Sequence, residues 1–193
     1  MTRKFSCSAL KGGLGALSMS RQMGFMLLLC ERQMPALRKF SVDTGFDISL
    51  SLECLDIGWN SLGNLSRHTS YNLLAERVFK SAPDTEDFRH ELTSAALDAT
   101  LCVGSLMSFL SDRNLDNAIK AATWACDTVD LYVQRTEPTI LPENIINHPL
   151  MQRELSCQAD DLDQLKSLAM DNGEELLSFL KDRAKQTPPL LPL

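Results

Sequence analysis

Apolar residues return at alternating steps of four and three along most of this chain, and that spacing constrains its fold more than any other feature. Such steps keep side chains on one face of an α-helix, whereas a half-buried strand needs strict alternation. Met19, Met23, Met26 and Cys30 form one ladder, and Ile48, Leu52, Leu55, Trp59 and Leu62 a second. Phe88, Leu92, Ala95, Ala99, Cys102, Leu106 and Phe109 form a third, and Leu115, Ile119, Ala122, Cys126, Val129 and Val133 a fourth. Met151, Leu155, Leu162, Leu165, Ala169, Leu176 and Phe179 continue the pattern, with Gln158 and Asn172 on two rungs. The mean step, close to 3.5, is the seam of antiparallel bundle packing at about 20°. No sustained alternation of β-branched and aromatic residues marks a strand. The expected fold is therefore all-α, an irregular antiparallel helical bundle of about seven helices.

Breakers set the expected boundaries. The helix opening at Ser18 or Ser20 is apolar nearly all round through Phe25, Leu28 and Leu29, which predicts a central position. Pro35 is expected to break or kink it near Gln33, with a short helix following to a stop at Thr44-Gly45. A helix over about 47–63 comes next, then a short one through Tyr71, Leu74 and Val78. Asp84 is expected to cap a long helix reaching Phe109, with Glu86 and Asp87 in its first turn. A turn at 111–114 then returns the chain as an antiparallel hairpin. The last helical stretch starts near His148 and bends or breaks at Asp171-Asn172-Gly173. The domain organisation expected is a single all-α domain over 1–193, with a glycine-weakened, loose lead-in at 1–17 and a Pro-rich mobile tail at 186–193.

Charge narrows the class of partner. The chain of 193 residues carries a net −6, which argues against a nucleic-acid partner. Residues 1–40 hold seven basic residues and one acid, Glu31, a net +6, so the remainder holds −12. The basic residues are dispersed, and the preferred reading is a basic first segment docked on an acidic body. The apolar run from Met23 to Leu29 is too short to span a membrane, and Leu28-Leu29 before Cys30 is unlike a lipoprotein cleavage site. No membrane association is expected.

The six cysteines form no C-x-x-C pair and have irregular spacings. Cys30, Cys102 and Cys126 occupy apolar rungs, where Cys acts as a small hydrophobe. They are read as reduced, which places the protein in the cytoplasm.

An ordered set of strings adds to this reading. Leu29-Cys30-Glu31-Arg32 precedes Pro35, Phe40 and Thr44-Gly45-Phe46. Pro83-Asp84-Thr85-Glu86-Asp87-Phe88 and Ala96-Leu97-Asp98-Ala99 follow. Thr128-Val129-Asp130-Leu131-Tyr132-Val133-Gln134 and His148-Pro149-Leu150-Met151-Gln152-Arg153-Glu154-Leu155 complete it. Over roughly residues 5 to 180 the chain resembles the YjaG-like family of bacterial proteins, a family of unknown function. It departs from the family pattern at Ala36-Leu37, where Asn-Tyr is usual, at Asp47, which follows Phe46 without an intervening Gly-Asp, and at Cys157, where an aromatic is common. The resemblance implies an all-α fold and a soluble bacterial protein. It carries over no catalytic or ligand residue.

Chemistry-bearing motifs are few. The chain has no Glu-x-x-His for a di-iron bundle, only Asp87-Phe88-Arg89-His90, and no Gly-x-Ser-x-Gly elbow. Asp160, Asp161 and Asp163 lack EF-hand spacing and read as a solvated helix face. No cofactor and no metal are expected. Glu31 and Arg32 end an apolar helix, Asp98 lies beside the Ala95/Cys102 stripe, and Asp130 beside Val129/Val133. These four are the candidate ligand-binding residues, with Arg32 expected to meet Asp98 or Asp130. The arrangement is read as a register-fixing ion pair in preference to an anion pocket. Trp59 and Trp124 read as core or helix edge, and Tyr132 and Gln134 as better placed for a cleft. The function expected is that of a non-catalytic cytoplasmic protein acting through contacts with an unidentified protein partner. A homodimer is expected through a surplus apolar face at Leu97, Leu101 and 103–107. The alternative is a small-molecule binder or enzyme with a polar pocket around Arg32, Asp98 and Asp130.

Overall fold

The computed structural model describes residues 6–63, 70–169 and 173–193. Arg3, Lys4, Phe5, His68 and the expected break at Asp171-Asn172 lie outside the described residues. Eight α-helices and one short 3-10 helix occur among the described residues, with no strand. They are α1 (Cys7–Gly15), α2 (Met19–Thr44), α3 (Ser49–Ser61), α4 (Ser70–Lys80), α5 (Thr93–Asp112), α6 (Leu115–Thr136), α7 (Pro149–Ser167) and α8 (Gly173–Gln186). A 3-10 helix spans Pro142–Asn147 between α6 and α7.

The centre is built from α2 and α5. Residues 23–30 of α2 are buried without interruption, as its all-round apolar sequence requires. Helix α5 packs against α2, α3, α4 and α6, and α2 against α3, α5, α6, α7 and α8. The α5–α6 hairpin forms as expected. Arg113 ends α5 in the left-handed region at φ 61°, and Asn114 caps α6 by accepting the Asp116 N–H at 2.9 Å. Helix α5 is long and apolar enough to cross a membrane, and 78% of its most apolar window is buried inside the fold. Of the surplus apolar face expected to meet a second copy, Val103 and Met107 are fully buried within the chain, and Leu97 and Leu101 are half-buried.

Several boundaries differ from expectation, each for a local reason. Pro35 does not end its helix: α2 runs on to Thr44 and stops at Gly45, φ 76°, whose N–H donates to the Ser41 carbonyl at 2.8 Å. A proline removes one backbone donor, while Met34, Ala36, Leu37 and Phe40 beside it are buried in the core. The long helix does not begin at Asp84. The Asp84 side chain accepts the Glu86 N–H at 2.8 Å in a local turn, and the His90 ring accepts the Leu92 N–H at 3.1 Å. Phe88 meets Phe40 and Phe46 at ring separations of 5.2 and 5.5 Å, which pins this segment to the end of α2, and α5 starts only at Thr93.

The lead-in, expected to be loose, carries α1 over Cys7–Gly15. Ser6 caps α1, and Leu10, Leu14 and Leu17 are buried. A Cβ on Gly13 would come within 2.6 Å of Leu162 Cδ2, so this glycine permits close approach of α1 to α7. Lys11 pairs with Asp116 at 2.6 Å, one contact between the basic first segment and the acidic body. The tail, expected to be mobile, packs against the body in this structure. Leu190 and Leu191 are each 2% exposed, and the Leu190 N–H donates to the Arg32 carbonyl at 2.8 Å.

Candidate functional site

Arg32 lies three residues before Pro35 on α2 and is 4% exposed. Its guanidinium meets Glu154 on α7 through two bonds, Nε to Oε2 at 3.1 Å and Nη2 to Oε1 at 3.0 Å. Nη1 donates to Asp161 Oδ2, also on α7, at 2.6 Å. Asp161 Oδ1 accepts from Arg183 Nε of α8 at 2.8 Å. Gln158 sits between the two acids and donates to Glu154 Oε1 at 3.0 Å and to the Ala122 carbonyl of α6 at 3.2 Å. Four helices are thus joined by one buried network of two cations and two anions. Burial alone would favour loss of the Arg32 proton. Glu154 and Asp161 outweigh it, so the pKa rises above the ordinary arginine value.

Neither expected partner of Arg32 is part of this network. Asp98 is buried on α5 and accepts from Thr128 Oγ1 of α6 at 2.7 Å. Desolvation pushes its carboxyl up to about 6, against the pull of that hydrogen bond, and Asp127 adds to the rise. Asp130 is half-buried and accepts from Gln134 one turn along α6. A pocket combining Arg32, Asp98 and Asp130 does not form, because each acid has a nearer donor on α6. Asp161, expected on a solvated face, is 1% exposed. Glu154 and Asp161 were missed as partners. Their signal is the spacing of Glu154, Gln158 and Asp161, a polar 4-3 stripe that shares the core side of α7 with its apolar ladder.

Glu31 and Arg32 do share one concavity. A cleft of about 590 Å³ is lined by both, with Pro35, Asp56, Trp59, Asn60, Lys181, Ala184, Lys185, Thr187 and Pro189. Glu31 Oε1 accepts the Trp59 indole N–H at 2.8 Å, so both groups are held in place. A second hollow of about 460 Å³ shares Trp59, Asn60 and Lys181 and extends along Gly63, Gly173, Glu174 and Leu177. Sharing these residues, the two make one trough, with α3 and α8 as walls and α2 as the floor of its first half. Tyr132 lines a separate hollow of about 240 Å³ beneath Arg135, whose guanidinium stands 5.5 Å from the ring centroid.

No group of three or more His, Cys, Asp or Glu suited to a metal ion occurs among the described residues. The cysteines are all free thiols. Desolvation pushes Cys54 up to about 11 and Cys126 up to about 12, which keeps both protonated and unreactive.

Comparison with known proteins agrees with this architecture. The sequence model of the family described as "Protein of unknown function (DUF416)" matches residues 10–188. The uncharacterized protein YjaG of Escherichia coli (strain K12) is 25% identical over 164 residues, covering 78% of this chain and 84% of that protein. The crystal structure of a DUF416 family protein from Shewanella baltica OS155 superposes with a TM-score of 0.79 at 20% identity, covering 96% of this chain and 95% of that one.

Proposed function

Since the chain belongs to the DUF416 family, whose function is unknown, we propose a function from its own geometry: a non-catalytic binding protein that acts by contact with another protein. The observation that carries this reading is the commitment of the two ionisable groups that α2 presents to the trough. Arg32 is spent on Glu154 and Asp161, and Glu31 on the Trp59 indole. Neither of these two is then free to exchange a proton with a substrate. The carboxyl with the strongly raised pKa, Asp98, is instead bonded to Thr128 and does not line the trough. What faces solvent is a hollow with the Trp59 ring among the polar side chains of Asp56, Asn60, Lys181 and Lys185, an aromatic within a polar rim as docking surfaces have. Free thiols at all six cysteines support placing the protein in the cytoplasm.

The test uses the full chain with a photo-crosslinking amino acid at Asn60, inside the trough, or at Asn72, exposed on α4. Protein adducts are expected from Asn60 and not from Asn72, and Lys181→Glu with Lys185→Glu abolishes them. Equal adducts from both positions, or none from either, overturn the reading. So does turnover of any metabolite that raises the melting temperature in a thermal-shift panel.

A further inference from the structure

We infer that the trough between α3 and α8 takes an extended segment of a partner chain in which acidic residues alternate with apolar ones, the acids seated on Lys181 and Lys185 and an apolar side chain on Trp59. This rests on the reading of the protein as a binding module, and it adds the place and the chemistry of the contact.

Shape selects an extended chain. Helices α3 and α8 each pack on α2, and a hollow lined by both lies between them. At one end the walls converge: a Cβ on Gly173 would stand 3.5 Å from the Gly63 Cα. At the other end the tail closes the trough with Thr187 and Pro189. Along α8 the trough runs about 20 Å, at 1.5 Å per residue. A helix with its side chains is about 10 Å across and does not fit at the Gly63–Gly173 end, where the walls nearly touch. An extended segment of about six residues covers the same length at about 3.3 Å per residue.

Charge selects the sequence of that segment. Lys181 lines both halves of the trough and has no carboxylate partner among the described residues. Lys185 has only Asp182, at 3.6 Å, with both side chains largely in water. An exposed pair of that kind is worth little and yields readily to a better partner. The two lysines are one turn apart on α8, about 6 Å. Residues i and i+2 of an extended chain lie about 6.6 Å apart on one side. Two alternate acids therefore match two lysines in register. The residue between them points to the opposite side, toward α3, where Trp59 presents its ring with the N–H already bonded to Glu31. Asp56 and Glu31 on that side disfavour an acid there, so the intervening position is apolar. The protein's net −6 repels acidic chains at long range, which makes binding depend on this local match.

Trp124→Phe leaves Trp59 as the sole indole and reports on the site by fluorescence. Three capped peptides are titrated: Glu-Phe-Glu-Phe-Glu, Lys-Phe-Lys-Phe-Lys and Glu-Ser-Glu-Ser-Glu. The first is expected to saturate the Trp59 signal with a dissociation constant at least about tenfold below the other two, a difference of about 1.4 kcal/mol. Lys181→Glu with Lys185→Glu reverses the order in favour of the lysine peptide, and Lys181→Ala with Lys185→Ala removes the preference. Equal binding of the three peptides, no saturable change with any of them, or an unchanged order in the charge-reversed variant overturns the proposal. If the peptides fail while the crosslinker at Asn60 still yields charge-dependent adducts, this proposal falls and the binding-module reading stands. If both fail, both fall.

Discussion

Arg32 of α2 and Glu154 of α7 are 122 positions apart in sequence and face each other in a two-bond fork, Nε to Oε2 at 3.1 Å and Nη2 to Oε1 at 3.0 Å. Both side chains are at most 3% exposed. The planar guanidinium fits a carboxylate in this way, and a lysine ammonium does not. Removing one partner of a buried pair strands the other in a medium that cannot solvate it. Arg32→Met is expected to cost about 3–5 kcal/mol. Arg32→Lys recovers only part, since it cannot make the fork and reach Asp161 together. Urea unfolding followed by circular dichroism checks both, and a loss below about 1 kcal/mol for Arg32→Met would show that the network contributes little.

Asp98 gives stability a pH dependence of definite sign. Its carboxyl sits at about 6 in the folded protein, chiefly because of burial, against about 3.9 in an unfolded chain. Between these values the folded state holds a proton that the unfolded state has lost. Stability from this group therefore falls as pH rises through that window and is lowest above it. Asp98→Asn keeps an acceptor for Thr128 and carries no charge. It is expected to stabilise the protein by about 1–3 kcal/mol near pH 8 and to lose that advantage near pH 4. Denaturation midpoints of both proteins across this range test it, and a constant difference would remove Asp98 as the cause.

Gly104 marks where α4 presses on α5. A Cβ there would lie under 3.0 Å from three ring atoms of Phe79. Phe79 is 36% exposed and has room to swing outward. Gly104→Ala is expected to destabilise by about 1–3 kcal/mol, the usual range for overpacking. In a Phe79→Leu background the same change should cost less, because the ring that obstructs the new methyl is gone. Additive effects in this double-mutant cycle would contradict the contact.

The parts of the fold that were legible in sequence are those fixed by neighbours a few residues away. Helix α6 follows from its ladder between Leu115 and Val133 and from Asn114 as its cap. The stop at Gly45 follows from the αL conformation that glycine adopts easily. What was not legible depends on distant partners. Pro35 reads as a breaker until α2 is seen embedded in the core on both sides of it. The Phe88 ladder extends back from α5 in sequence, yet Phe88 itself is taken by Phe40 and Phe46 of another segment. Arg32 reads from sequence as an edge-of-core cation, but its anions stand on α7 and not on α5 or α6. With 25 acidic residues in the chain, spacing along α2 carries no information about which of them comes within reach. The polar stripe of Glu154, Gln158 and Asp161 would have narrowed the choice, because acids at core spacing demand a buried cation.

The tail offers the last test, and it turns on Pro35. A proline inside a helix supplies no N–H to the carbonyl four residues back and crowds the turn before it. On that turn the Arg32 carbonyl accepts the Leu190 N–H at 2.8 Å, and Arg153 Nη2 holds the Pro189 and Leu190 carbonyls at 2.9 and 2.6 Å. Leu190 and Leu191 are buried beside it. The tail is thus an outside strap over the proline turn, bonded to the Arg32 carbonyl next to the Glu31 carbonyl that Pro35 leaves without a helical donor. Deleting residues 187–193 should cost about 3–5 kcal/mol, chiefly from two leucines at about 1.5–3 kcal/mol each. Leu190→Pro removes the same backbone donor while keeping an apolar residue, and should cost less than the deletion but more than Leu190→Val. In native-state hydrogen exchange the Leu190 amide should be protected. An amide exchanging at the rate of an unstructured peptide would show that the strap does not hold α2 in solution.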